Sequence, residues 1–349
     1  MPGIIVAPQP LAVEEGAKVL MKGGNAIDAA VTCAAVQGIL DPQMCGIGGY
    51  AMLNLHLAPG LKSGAQSIGI DGPALAGANV SPAMWVDKVL RPNPDGWGYF
   101  LEGKVNDAGY TSVCTPGWVK AMATMLARWG TLSWAEALAP AARIAEEGFV
   151  VPDRLGTGWL RQRPYPEACS LLDYIEANAE AKRIYLKANG ATYAVGEQLR
   201  NPDYARTLRQ LGERGAEDFY QGELAQRMST DLAANGAYVT AQDLANYKLR
   251  ENQLVTGTYR GYTVTCATAP HGGPTLIEIL NILEGYNLAA LGHNSHELIL
   301  PACLVLLGQA FELGVDGLVE LPREQNRSVP IDVGDGDDGR RAEQRKISQ

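Results

Sequence analysis

The stretch GGNAIDAA at residues 23–30, followed by CGIGGY at residues 45–50, decides the fold of this chain. The paired glycines favour a turn, Asn25 is a good N-cap, and Asp28 places a carboxylate near the helix N-terminus, where negative charge is stabilising. These residues predict a helix over residues 26–38. Because this helix is apolar on almost every side, we expect it to be buried between layers, and its small side chains favour close approach to a sheet.

A strand is predicted over residues 50–57, directly after the second glycine cluster. Apolar residues at every second position alternate with Met, Asn and His, which predicts one buried face. A glycine cluster can also bind phosphate, but that motif requires the order strand, glycines, helix. Here the order is helix, glycines, strand, so nucleotide binding is disfavoured.

Composition limits the classes of protein that this chain can represent. With 349 residues and 46% hydrophobic content, it can bury a large core as one α/β domain or as two smaller ones. A net charge of −9 without a basic run disfavours nucleic acid and favours small-molecule partners. Its six cysteines and four histidines lack metal-ligand spacing, so we expect no metal and no cofactor.

The chain shows no recognisable membrane or export signal. No segment is apolar over enough residues to span a membrane. The N-terminal residues lack a positively charged region, and Glu14 interrupts before a long apolar stretch can form. We therefore expect a cytoplasmic protein; the alternative is a periplasmic or secreted chain recorded without its leader.

Further elements are predicted from capping and turn residues. Thr115 and Pro116 look like the N-cap and first residue of a helix that ends near Gly130, and SWAE at residues 133–136 is a capping box that opens a helix ending at Gly148. These two helices should form a hairpin. The remaining predictions are an ordered loop over 91–109 with a turn at 94–96, helices from Pro202 and over 219–234, a short helix capped at 240–243, a strand over 259–267 and a helix over 275–284.

Taken in order, these elements resemble the large subunit of the gamma-glutamyltranspeptidase (gamma-glutamyltransferase) family of N-terminal nucleophile hydrolases. The resemblance covers residues 4–297. It implies an α+β fold, an αββα sandwich of which this chain is the large-subunit part, made as a precursor that cuts itself. The resemblance rests on GGNAIDAA at 23–30, GIGG at 46–49, TPG at 115–117, WGTLSWAEALAPAARIAEEGF at 129–149, FYQGELA at 219–225, DLANY at 243–247, YRGY at 259–262 and LNILEGY at 280–286.

The resemblance also implies a mechanism. In this family the nucleophile is a Thr at the N-terminus of the small subunit, and its own α-amine, with an ordinary pKa near 7.7 to 8, activates its hydroxyl. It takes the acyl group from a γ-glutamyl or related amide and passes it to water or an amine. No Thr of this chain stands in a comparable context. We therefore expect no catalytic residue within the chain, and a small subunit and an amide substrate as its partners.

The sequence departs from the family pattern at residues 70–77. Where the family often has Arg-Glu-x-Ala-Pro to hold the α-carboxylate of the substrate, residues 70–77 read IDGPALAG. The missing Arg places γ-glutamyl specificity in doubt, because a bidentate Arg supplies both charge and geometry. Asp71 is a candidate substrate-binding residue, although an Asp that forms a turn before Gly-Pro is the simpler interpretation.

Other polar side chains are weaker candidates. His271 precedes a Gly-Gly pair and could approach a site, but a surface turn is the simpler interpretation. For the hydroxyls of Thr111, Ser112 and Thr115, we expect capping and turn roles.

Two regions are predicted along the chain: a family-like region over residues 1–297 and a divergent tail over residues 298–349. Residues 322–349 contain no aromatic residue and include GDGDDGRRAEQR, a composition typical of disorder. We hypothesise a frame error or truncation of the gene within the tail.

Two functions follow from these observations. The first is the large-subunit part of an amidase or acyltransferase, inactive until a small subunit is supplied. The second is a non-catalytic binding or interaction protein that kept the scaffold. An α/β-hydrolase is disfavoured because no Gly-x-Ser-x-Gly occurs.

Overall fold

A computed structural model of the chain has two compact units, and each is described by itself. The first contains Met1–Met52 and Asp71–Arg250, and the second contains Leu53–Ile70 and the chain from Glu251. The predicted boundary at residue 297, the tail after it and most of the predicted turn at 94–96 lie outside the described residues. The structure describes residues 3–59, 66–94, 98–158, 163, 165–252 and 254–291.

Helices and strands occur largely in separate runs along the chain, consistent with the predicted α+β class. The helices are α1 Pro10–Met21, α2 Ala26–Leu40, α3 Trp118–Trp129, α4 Trp134–Glu147, α5 Asp153–Gly158, α6 Leu171–Glu176, α7 Ala179–Tyr185, α8 Pro202–Arg214, α9 Glu223–Ala234, α10 Ala241–Ala245, α11 Gly273–Glu284 and α12 Leu288–Leu291. The strands are β1 Ala51–Leu57, β2 Gln66–Gly72, β3 Val89–Pro92, β4 Tyr99–Leu101, β5 Phe149–Val150, β6 Gln198–Leu199, β7 Arg250–Asn252, β8 Val255–Tyr259 and β9 Tyr262–Cys266.

The central helix of the first unit is α2. Its start confirms the prediction, because Asn25 and Asp28 form a capping box in which each side chain accepts a hydrogen bond from the other's backbone N–H. Eleven of its residues are buried, also as predicted. Its principal neighbours, however, are α1, α3 and α4. The expectation that its small residues pack against a sheet is therefore wrong, since helices supply most of its surroundings.

Helix α4 begins and ends where the sequence predicts. Ser133 and Glu136 form the capping box, and Gly148, with φ of 95°, is the C-cap. Helices α3 and α4 contact each other, as a hairpin requires, but α4 packs more extensively on α8 and α2.

Three further predictions need correction. Helix α3 begins at Trp118 with Gly117 as its N-cap, since the backbone of Thr115 pairs with Leu75 instead of starting a helix. Residues Ala216–Phe219 form a separate 3-10 turn, so α9 begins at Glu223. The predicted loop over 91–109 contains most of the antiparallel pair β3 and β4.

The described strands form one three-stranded sheet and three two-stranded sheets. The larger sheet has the order β1-β2-β7. In the second unit the strand predicted over 259–267 is part of a hairpin, because Arg260 and Gly261 both have positive φ and turn β8 into β9. Helix α11 packs on this hairpin. Within the described ranges, no helix is both long and apolar enough to cross a membrane.

Candidate functional site

The GIGG segment, residues 46–49, packs against the end of α2. Gly38 in the last turn of that helix lies so close to Gly46 that a Cβ on Gly38 would stand 2.9 Å from the Gly46 Cα. The backbone N–H of Ile47 donates to the Tyr204 hydroxyl at 3.2 Å. Burial raises the pKa of Tyr204, so this hydroxyl stays neutral. The glycine turn is thus held by α2 on one side and by α8 on the other.

The same segment meets the start of α3. The carbonyl of Gly49 accepts hydrogen bonds from the backbone N–H groups of Gly117 and Trp118, at 2.9 and 3.0 Å. These are N–H groups that the helix itself cannot satisfy. The TPG motif therefore caps its helix with a backbone carbonyl from a distant glycine turn.

The end of β2 packs against the TPG motif without room for a side chain. A Cβ on Gly117 would stand 2.1 Å from both the Gly72 carbonyl oxygen and the Tyr247 hydroxyl. That hydroxyl donates to the carbonyl of Pro73 at 2.7 Å. Glycine is required at position 117 because two backbone segments and a phenol converge there.

Two buried tyrosines pack against each other in this region. The rings of Tyr220 and Tyr247 are stacked with centroids 5.4 Å apart and planes 19° from parallel. The Tyr220 hydroxyl donates to the Pro116 carbonyl and accepts from the Lys120 backbone N–H, both at 3.0 Å. Burial raises the pKa of both phenols, and the negative charge of Asp71 adds to the rise at Tyr247.

We call this region the motif junction; it consists of residues 46–49, 71–73 and 115–117 with Tyr220 and Tyr247. Asp71 lies in it, 3% exposed, as the penultimate residue of β2 rather than in a turn. Thr115 is also buried, and its hydroxyl has no hydrogen-bond partner among the described residues. The hydroxyls of Thr111 and Ser112 donate to nearby carbonyls of Val105 and Gly109, which confirms their predicted local role.

His271 belongs to the second unit and is partly buried just before α11. Asp71 belongs to the first, so the two candidates lie in separate units. Tyr220 and Tyr247 were not predicted as site residues, although FYQGELA and DLANY contain them. The signal that could have found them is the tyrosine that each of these two motifs contains.

The chemistry of the motif junction is that of binding and positioning. Its ionisable side chains are Asp71 and two tyrosines whose raised pKa values make them poor bases near neutral pH. The described residues contain no group of three His, Cys, Asp or Glu side chains that could hold a metal ion.

Comparisons with known proteins place these motifs in one family. The family model described as Gamma-glutamyltranspeptidase matches residues 12–314. A glutathione hydrolase proenzyme from Pseudomonas sp. (strain A14) is 34% identical over 84% of the chain and 47% of the relative. An acylase ACY 1 proenzyme from Pseudomonas sp. (strain V22) is 32% identical over 85% of the chain and 50% of the relative. The chain thus spans about half the length of these relatives.

A solved structure agrees with the sequence relatives. The crystal structure of Helicobacter pylori gamma-glutamyltranspeptidase has a TM-score of 0.75 and 30% identity to this chain, and the match covers 87% of this chain and 81% of that one. This match confirms the predicted N-terminal nucleophile hydrolase fold class for the large-subunit portion.

Proposed function

Since the chain belongs to the gamma-glutamyltranspeptidase family, we propose that it is the large-subunit part of an enzyme that cleaves amides by acyl transfer. The observation that carries this proposal is the motif junction, where family motifs far apart in sequence converge on the end of β2. Its buried glycines and tyrosines form a rigid wall, which is what a scaffold half contributes to a shared site.

In this proposal the nucleophile is the N-terminal Thr of a small subunit. The hydroxyl attacks the amide carbonyl while the α-amine of the same residue takes its proton, and the acyl group then passes to water or an amine. Two findings support a second subunit. Both of the curated relatives described above are named as proenzymes, and the chain spans about half of their length.

The acyl group of the substrate is proposed to lack a terminal carboxylate. Residues 70–77 lack the Arg with which the family often holds the α-carboxylate of the substrate, and the negative charge of the buried Asp71 in the same segment would repel that carboxylate. The similarity to an acylase supports a wider range of acyl groups. We therefore favour γ-glutamyl-related amides with an uncharged acyl end over γ-glutamyl amides themselves.

The absence of the Arg motif from residues 70–77 also supports the alternative, a non-catalytic binding or interaction protein. A scaffold that has lost a substrate contact can lose its chemistry while keeping its fold.

One experiment separates the two functions. The full chain is assayed with pentanoyl and γ-glutamyl anilides, alone and co-expressed with the polypeptide encoded immediately downstream. The proposal expects hydrolysis only in the co-expressed pair, faster for the pentanoyl substrate, and abolished when the N-terminal Thr of the partner is replaced by Ala. A folded pair that hydrolyses neither anilide would favour the non-catalytic alternative.

A further inference from the structure

The segment that follows β2 pairs with the TPG motif along one backbone edge. The Leu75 N–H donates to the Thr115 carbonyl at 3.1 Å, and the Thr115 N–H donates to the Leu75 carbonyl at 2.7 Å. Both backbone polar groups of Leu75 therefore face Thr115, as in a hydrogen-bonded pair of antiparallel strands. Because successive residues of an extended chain direct these groups to opposite edges, those of Ala74 and Ala76 face away from Thr115.

The opposite edge is open. Exposure alternates along the segment as in a strand: Leu75 is half-buried and Gly77 is buried, whereas Ala74 and Ala76 are exposed. Within the part of the chain that the structure describes, the backbone N–H and C=O groups of Ala74 and Ala76 have no hydrogen-bond partner. We call residues 74–76 the free edge. It offers two donors and two acceptors, and the small methyl side chains leave them accessible.

The DLANY motif, residues 243–247, holds the chain on both sides of the free edge. The Tyr247 hydroxyl donates to the Pro73 carbonyl at 2.7 Å. The Asp243 carboxylate accepts from the Ala78 backbone N–H at 3.1 Å. The free edge is thus formed before any ligand arrives, so binding costs less conformational entropy than it would at a flexible loop.

A donor and an acceptor at every second residue are complementary to an extended peptide, whose own N–H and C=O groups repeat with the same spacing. We propose that the free edge binds an extended, uncharged peptide segment, which adds as a strand and forms hydrogen bonds with the backbone of Ala74 and Ala76. This inference goes beyond the proposed function and does not rest on it, since peptide binding requires neither hydrolysis nor a small subunit.

The test is an NMR titration of the full chain, labelled with nitrogen-15 at alanine, with N-acetyl-trialanine methyl ester. The amide signals of Ala74 and Ala76 are identified by their absence from Ala74→Val and Ala76→Val, and we expect both to shift with peptide concentration. The comparison compound is O-acetyl-trilactate methyl ester, in which an ester oxygen replaces every N–H. It should bind about twentyfold more weakly, because it cannot donate to the two carbonyls and each hydrogen bond contributes roughly fivefold.

Two substitutions at one position then test the edge itself. Ala76→Pro removes a backbone donor and should weaken peptide binding about fivefold. The matched control is Ala76→Val, which adds a side chain of similar size but keeps the donor, and it should change binding by less than about twofold. The comparison of the two ligands uses unaltered protein, so it is independent of any effect of substitution on folding.

Three results would overturn the proposal. The first is that the signals of Ala74 and Ala76 do not shift, and the second is equal affinity for the peptide and its ester analogue. The third is loss of peptide binding in the co-expressed pair, which would assign the free edge to the second polypeptide. Anilide hydrolysis is not measured, so failure here is distinct from failure of the proposed function.

Discussion

Asp28 and Thr131, 103 residues apart in sequence, are joined by two hydrogen bonds. The Asp28 Oδ1 accepts from the Thr131 backbone N–H and its Oδ2 accepts from the Thr131 hydroxyl, both at 2.7 Å. Oδ1 also accepts from the Leu132 N–H, and Oδ2 from the Asn25 N–H. A fully buried carboxylate thus ties the start of α2 to the turn that precedes α4.

Replacing Asp28 should destabilise the first unit. Asp28→Ala leaves four donors without their acceptor, and we expect a loss of about 3 kcal/mol in the free energy of unfolding. The measurement is urea unfolding followed by tryptophan fluorescence, because all six tryptophans fall within the sequence range of the first unit. Asp87→Ala, at an exposed site, is the control and should change stability by less than about 0.5 kcal/mol.

The contribution of Asp28 should also depend on pH. Burial acts to raise the pKa of Asp28, but hydrogen bonds from Leu132, Asn25 and Thr131 outweigh it and hold the pKa below its ordinary value. A lowered pKa stabilises the fold above the unfolded-state pKa, near 3.9, and this stabilisation is lost as pH falls through the folded-state pKa. The stability difference between wild type and Asp28→Asn should therefore be smaller at about pH 3 than at about pH 6. A difference that stays constant over this range would contradict the assignment.

The close packing of the motif junction predicts that a side chain at position 117 destabilises the protein. Gly117→Ala would place a methyl group 2.1 Å from the Gly72 carbonyl and the Tyr247 hydroxyl, so these groups must move apart. We expect a loss of about 2 kcal/mol. Gly48→Ala is the matched control, because a Cβ there meets nothing within 4 Å and the backbone is not in the left-handed region. Equal effects of the two substitutions, measured by the same fluorescence assay, would show that the junction is not tightly packed.

The local part of the fold could be predicted from sequence because its signals lie within a few residues. Capping residues at Asn25 and Ser133 predict the starts of α2 and α4, and both helices begin there. Thr115 carries the same signal before Pro116 but pairs with Leu75 instead. The pairing joins residues 40 positions apart, and nothing in the local pattern indicates it.

The candidate site was harder to predict for the same reason. Asp71 was identified because it lies in the segment where the Arg motif of the family is missing, and the structure places it in the motif junction. Tyr220 precedes α9 and Tyr247 follows α10, so their stacking depends on how these two helices are arranged in space. Hydrophobic periodicity does not determine that arrangement.

The buried tyrosines predict loss of stability at alkaline pH. Burial raises the pKa values of Tyr204, Tyr220 and Tyr247 above that of free tyrosine. A raised pKa gives stability that is complete below the unfolded-state pKa, near 10, and is lost as pH rises towards the folded-state value. We expect the urea midpoint to fall above about pH 10, and some tyrosinate absorbance to appear only with unfolding. Complete tyrosine ionisation while tryptophan fluorescence stays native would contradict this.

The charge of Asp71 should determine which acyl groups the assembled enzyme accepts. Asp71→Asn removes a buried negative charge with little change of shape, so it should relieve repulsion of a substrate that ends in a carboxylate. In the co-expressed pair we expect kcat/KM for glutaryl anilide to rise about tenfold, equivalent to about 1.4 kcal/mol of transition-state binding. The uncharged pentanoyl anilide should change by less than about twofold, because it has no charge to repel. Asp87→Asn, exposed and in another part of the first unit, should alter neither. A similar change for both anilides in Asp71→Asn would assign Asp71 to the scaffold rather than to the acyl site.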